Sequence, residues 1–141
     1  MATGQRPEYG DILERGCYRD RNVRSAVPSF CHRQANVYRI PSNGGTPQIY
    51  AGGFTKIIDL AFGPNGSLYV LQISSTGGAP PQGGTGSLIR LSPDATSRTT
   101  IVGPGEGLVA PGGVAIAGDG SIYVTNLSVS PGTGTVVKIV P

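Results

Sequence analysis

An all-β chain of repeated four-stranded antiparallel units, too few to close on themselves, is predicted by three observations. Short stretches of β-formers recur about every 50 residues, a spacing that marks repeat architectures. Asn65-Gly66 and Asp119-Gly120 each stand between two such stretches. Glycine and proline together make 35 of the 141 residues (23 plus 12), while charged residues make only 13%. That balance disfavours long helices, and the length fits one domain. No apolar run approaches the roughly 18 to 20 residues of a membrane-spanning helix, and the N-terminus lacks the roughly 7 to 15-residue apolar stretch of a signal peptide. Neither a membrane partner nor an address is therefore expected.

Residues 1–35 have a composition of their own. They hold six arginines against Glu8, Asp11, Glu14 and Asp20, together with Cys17, Cys31 and the only histidine, His32, but three of the 23 glycines. Arg15, Arg19, Arg21 and Arg24 alternate with acids, and only Tyr9, Tyr18 and Phe30 offer stacking surfaces, so no nucleic-acid partner is expected. A structural zinc site takes four ligands, whereas Cys17, Cys31 and His32 supply three, two of them adjacent. Gly16 interrupts the one helix-compatible stretch, 11–24, and no apolar stripe is sustained there. The segment is expected to be a poorly ordered or foreign extension, read from another frame.

From residue 36 the chain repeats. Val37-Tyr38-Arg39-Ile40 returns 51 residues on as Leu88-Ile89-Arg90-Leu91 and a further 48 on as Val136-Val137-Lys138-Ile139, each a short strand with a basic residue third. The stretch 60–70 returns at an offset of 54 as 114–124. Asn65-Gly66 and Asp119-Gly120 predict type I′ hairpins, whose two central residues take positive φ. The flanking strands are mostly apolar, as in sheets covered on both faces. Gln48-Ile49-Tyr50-Ala51 and Thr99-Thr100-Ile101-Val102 add one more strand to each unit. The units are read as 36–87 and 88–135, with 136–141 as a closing strand that pairs into a neighbouring unit.

Four-stranded antiparallel repeats of roughly 40 to 50 residues characterise β-propeller blades, and propellers typically close with 4 to 8 of them. Two blades and a starting strand make an incomplete propeller with uncovered end faces. The expected partners are therefore further blades, from self-association or from a longer parent chain. Three copies of a two-blade unit would make six.

Pro111-Gly112-Gly113-Val114-Ala115-Ile116, followed by Gly118-Asp119-Gly120-Ser121-Ile122-Tyr123-Val124-Thr125-Asn126, resembles the blade rhythm of NHL-type and six-bladed lactonase-like propellers. A longer match is carried by Pro41-Ser42-Asn43-Gly44-Gly45-Thr46-Pro47, Gly53-Phe54-Thr55-Lys56-Ile57-Ile58-Asp59-Leu60-Ala61-Phe62-Gly63-Pro64, Tyr69-Val70-Leu71-Gln72-Ile73, Gly86-Ser87-Leu88-Ile89-Arg90-Leu91 and Ser130-Pro131-Gly132-Thr133-Gly134. Through these, residues 36–141 resemble the C-terminal blades of the ScyD/ScyE family, propellers named for the scytonemin pigment locus of cyanobacteria. Members are usually several times longer and exported, with no established catalytic residues. The resemblance implies an accessory or binding module, not an enzyme.

Lactonase-like propellers hold a divalent metal in the channel through hard oxygen ligands, for which Asp59, Glu106 and Asn126 are the candidates here. Each also has a structural reading. Asp59 can bond the adjacent turn, Glu106 lies in the run Gly103-Pro104-Gly105-Glu106-Gly107, and Asn126 can satisfy loop backbone at a strand end, with Leu71 at the corresponding place in the first unit. No cofactor is expected. A serine-histidine nucleophile is excluded, because the histidine lies in the unrelated segment and no G-x-S-x-G elbow occurs. Gly83-Gly84-Thr85-Gly86 is not followed by Lys-Ser or Lys-Thr and is read as loop. The connection 76–86 is the expected place for a ligand contact. Tyr69 and Tyr123 are read as packing between blades, and Arg39, Arg90 and Lys138 as outward or edge-protecting charges. The functional expectation is a non-catalytic binding or assembly module. The alternatives are a metal-dependent lactonase-like propeller completed by oligomerisation, and a truncated piece without its own function.

Overall fold

The computed structural model describes residues 35–75 and 85–140, all within a compact unit spanning Gln34–Pro141. The expectations for 1–34, including Cys17, Cys31 and His32, and for most of the connection 76–86, lie outside the described residues. Among those residues there are nine strands and no helix. They are β1 (Ala35–Arg39), β2 (Gln48–Phe54), β3 (Lys56–Phe62), β4 (Leu68–Ser74), β5 (Ser87–Leu91), β6 (Arg98–Val102), β7 (Gly113–Ile116), β8 (Ile122–Asn126) and β9 (Thr135–Ile139). The chain is all-β. Its strands form three antiparallel sheets, β1-β2, β3-β4-β5-β6 and β7-β8-β9, compatible with incomplete propeller blades.

The four-stranded sheet runs from β3 to β6, so the unit read as 36–87 is divided between two sheets and that read as 88–135 likewise. The sequence repeat gives the period but not the phase, because a meander of identical period can be cut after any strand. In the segment 136–141, β9 pairs with β8 as the third strand of its own sheet, in an unbroken register from Ile122↔Ile139 to Asn126↔Thr135, and its other edge has no partner strand among the described residues.

The turns also differ from expectation. Gly63 donates its amide to Ser67 and Gly66 donates to Gly63, which closes a three-residue loop 64–66 in which only Gly66 has positive φ, +77°. Ala117, Ser121 and Gly120 repeat the pattern, with Gly120 at +85°. These are type I turns followed by a left-handed glycine, not type I′ turns, because the glycine stands one place beyond the two central residues. Pro64, whose φ is fixed near −65°, suits the first central position.

Two apolar cores fasten the sheets together. Val37 and Phe54 from the first sheet meet Leu68, Val70 and Leu91 from the second. On the other face of the second sheet, Tyr69, Leu71, Leu88 and Val102 meet Leu108, Ile122 and Val124. β4 is therefore buried on both faces, as its apolar sequence requires, and serves both cores. Each fully buried Leu, Ile or Val contributes about 1.5–3 kcal/mol. β3 is not covered in the same way, since Ile58, Leu60 and Phe62 are exposed.

Polar ties supplement the cores. Arg98 reaches back to the Gly52 carbonyl at 2.6 Å with its guanidinium carbon 4.3 Å from the centre of the Phe54 ring, and the Tyr50 hydroxyl donates to the Pro93 carbonyl at 2.7 Å. The third sheet is held to the second by the Thr85↔Val109 bridge and by the Gly86 amide donating to Leu108.

Candidate functional site

The three oxygen-bearing residues nominated for a metal each carry a backbone contact. Asp59 stands at the middle of β3, where its Oδ1 accepts from the Leu60 amide at 2.8 Å and its Oδ2 from the Val114 amide at 2.8 Å. Glu106 folds back on its own loop, accepting from the Gly103 amide at 2.6 Å. Asn126, buried at the end of β8, accepts from the Val109 amide at 2.7 Å and donates to the Gly107 carbonyl at 2.9 Å. Among the described residues no group of three or more His, Cys, Asp and Glu side chains is gathered closely enough to hold a metal ion. Asp59, Glu106 and Asn126 thus each serve backbone groups of a strand or loop.

The residue at Asn126's place in the preceding unit is Gln72, 54 positions earlier, and not Leu71. Gln72 is buried, accepts from the Thr55 amide at 2.6 Å and donates to the Ser87 hydroxyl at 2.7 Å. Each of these carboxamides thus lies in the C-terminal part of the second strand of its sheet and accepts from a backbone amide that precedes that sheet's first strand. Extending the repeat by two residues beyond Val70 and Val124 would have shown the pair.

The basic and tyrosine positions separate into two kinds. Tyr69 is 7% exposed and packs between the second and third sheets, whereas Tyr123 is 37% exposed on the outward face of the third sheet, so it is not a core residue here. The cause is that a sheet covers Tyr69 while none of the described strands covers β8 on that side. Arg39 and Lys138 are exposed, with the Lys138 ammonium 5.7 Å from the centre of the Tyr123 ring. Arg90 is half-buried beside Tyr69, its cross-strand partner.

Arg90 lines a groove of about 490 Å³ between the second and third sheets, at the end carrying the two glycine turns. Asn65, Tyr69, Asp119, Ser121 and Lys138 line it too. Asp119 is its only acid, and its Oδ1 and Oδ2 accept from the Ser121 amide at 2.9 Å and the Ser121 hydroxyl at 3.1 Å. Those bonds, helped by the charge of Lys138, hold the Asp119 carboxyl below the usual carboxylate range. Arg90 itself makes no ion pair or side-chain hydrogen bond among the described residues. A planar guanidinium with unused donors, partly sheltered in a groove, is suited to a bidentate carboxylate or phosphate contact. Comparison with protein-family models, with curated proteins and with solved structures finds no match to this chain.

Proposed function

We propose that this chain is a non-catalytic binding module made of propeller-type blades, and that its binding surface is the groove around Arg90. The observation that carries the reading is the half-buried Arg90, which makes no ion pair or side-chain hydrogen bond among the described residues and lines the groove with Tyr69, Asp119 and Ser121. The ligand class is a small molecule or side chain bearing a carboxylate or phosphate. Support for a non-catalytic role comes from the acids. Asp59, Asp94, Glu106 and Asp119, the four carboxylates of the described residues, are each anchored to a backbone amide and serve the scaffold. The reading agrees with the accessory or binding character expected from the ScyD/ScyE resemblance.

Titration calorimetry of the full chain with inorganic phosphate and with succinate tests it. Binding is expected to weaken as salt rises, to vanish in Arg90→Ala and to be reduced in Arg90→Lys, which keeps the charge but loses the fork. Arg39→Ala should leave it unchanged. Equal binding by wild type and Arg90→Ala, or no binding at all, would refute the reading.

A further inference from the structure

The molecule carries both halves of one more copy of an interface that it already contains. Between the second and third sheets, Tyr69 and Leu71 of β4 pack with Val114 and Ile116 of β7 in one core. The 54-residue repeat maps Val114 and Ile116 onto Leu60 and Phe62 of β3, and maps Tyr69 and Leu71 onto Tyr123 and Thr125 of β8. Leu60 and Phe62 are 42% and 71% exposed on the side of the first sheet, while Tyr123 and Thr125 are exposed on the outward face of the third. One face is thus an acceptor and the other a donor of the same geometry, at opposite ends of the stack. Surfaces that complement each other but not themselves join copies head to tail.

The third strand of the sheet so formed is present twice. β1, β5 and β9 share one pattern, and β5 shows the arrangement when all four strands are in place. Val136 of β9 corresponds to Val37 of β1, and Lys138 to Arg39. Val37 is buried against Leu68 and Leu91, whereas Val136 is exposed. β1 pairs with β2 through two register shifts, on either side of Val37, whereas β9 pairs with β8 without interruption. Beside β1 lies a mainly apolar groove of about 230 Å³ lined by Val37, Tyr38, Tyr50, Leu60, Phe62 and Leu68, with Arg39 as its one charged residue.

We infer that a second copy of this chain seats its β7-β8-β9 sheet on Leu60 and Phe62, with its β9 replacing β1 beside β2. The joined sheet β7-β8-β9-β2 then has the strand order of β3-β4-β5-β6, and each copy supplies two four-stranded sheets. Two, three or four copies close a ring of four, six or eight, within the usual range of about 4 to 8 blades. The inference rests on reading the sheets as blades of one repeating stack, but not on the anion site.

The test uses the full chain with Cys17→Ser and Cys31→Ser. Phe62→Cys and Tyr123→Cys are made on separate copies, mixed and treated with a short bismaleimide. A cross-linked dimer that appears only in the mixture is expected. Products from Phe62→Cys alone or Tyr123→Cys alone would show self-complementary pairing and overturn the inference. Light scattering should give two, three or four times the 14.4 kDa chain mass, falling to one in Phe62→Asp with an unchanged far-ultraviolet spectrum. A folded monomer in the wild type, or a mass growing without limit with concentration, would overturn the closed assembly. Val136→Asp should break the assembly and Val37→Asp should spare it, and the reverse pattern would overturn the strand exchange. Phosphate titration of the same samples separates the two readings. A monomer that binds through Arg90 refutes only the joining, and an assembly that binds nothing refutes only the anion site.

Discussion

The Asp59 carboxylate accepts a 2.8 Å hydrogen bond from the Val114 amide, tying the first strand of the second sheet to the first strand of the third across 55 positions of chain. Asp59→Ala leaves that half-buried amide without an acceptor, a loss of about 1–3 kcal/mol. Asp59→Asn retains an acceptor oxygen and should cost less. Urea unfolding of the three proteins checks the order, and equal stability of Asp59→Ala and wild type would show that the tie contributes nothing.

Gln72 is the polar centre of the second sheet. Gln72→Ala strands the Thr55 amide and the Ser87 hydroxyl together, so a loss of about 2–4 kcal/mol is expected from two orphaned groups and a small cavity. Thermal unfolding measures it, and a midpoint unchanged from wild type would contradict the assignment.

Gly86 permits a close crossing of backbone and ring. A Cβ placed there would lie 2.7 Å from both Cδ and Cγ of Pro111 and 3.0 Å from Cβ of Leu108, all parts of a packed core with little freedom to yield. Gly86→Ala is expected to cost about 1–3 kcal/mol through overpacking, read as a lower urea midpoint. A neutral outcome would mean that the segment around Pro111 shifts freely.

The loop after β5 makes stability depend on acid. The hydroxyl of Ser92, then the hydroxyl and amide of Thr96, donate to Asp94 and lower its carboxyl from 3.8 to about 2. A depressed folded value means that the contribution is present above the unfolded value and is lost as pH falls through the folded one. The difference in melting temperature between wild type and Asp94→Asn should therefore hold near neutrality, shrink between about pH 4 and 2, and vanish below. Carboxyl resonances followed by NMR should place the Asp94 midpoint near 2, and a midpoint near 4 would contradict the loop geometry.

How much of this was legible in the sequence depends on the element. The strands around Leu68–Ser74 and Ile122–Asn126 were readable because the 54-residue repeat and the glycine turns fix both period and polarity. The phase was not, since a meander can be divided after any strand and only the cores around Val37 and Leu71 choose the grouping. Asp59 and Asn126 were visible as polar residues at strand ends, but their partners, the amides of Val114 and Val109, belong to segments that only folding brings near. Arg90 stood out as one of three equivalent cations. Nothing local distinguishes it from Arg39 or Lys138, because its shelter is made by the neighbouring sheet's turn.

The most direct measurement is an amide-resolved NMR titration of the full chain with inorganic phosphate. The anion site predicts saturable shifts confined to Arg90, Tyr69 and the turn 119–121, absent in Arg90→Ala. Shifts spread evenly over the exposed cations, or the same shifts in Arg90→Ala, would contradict it.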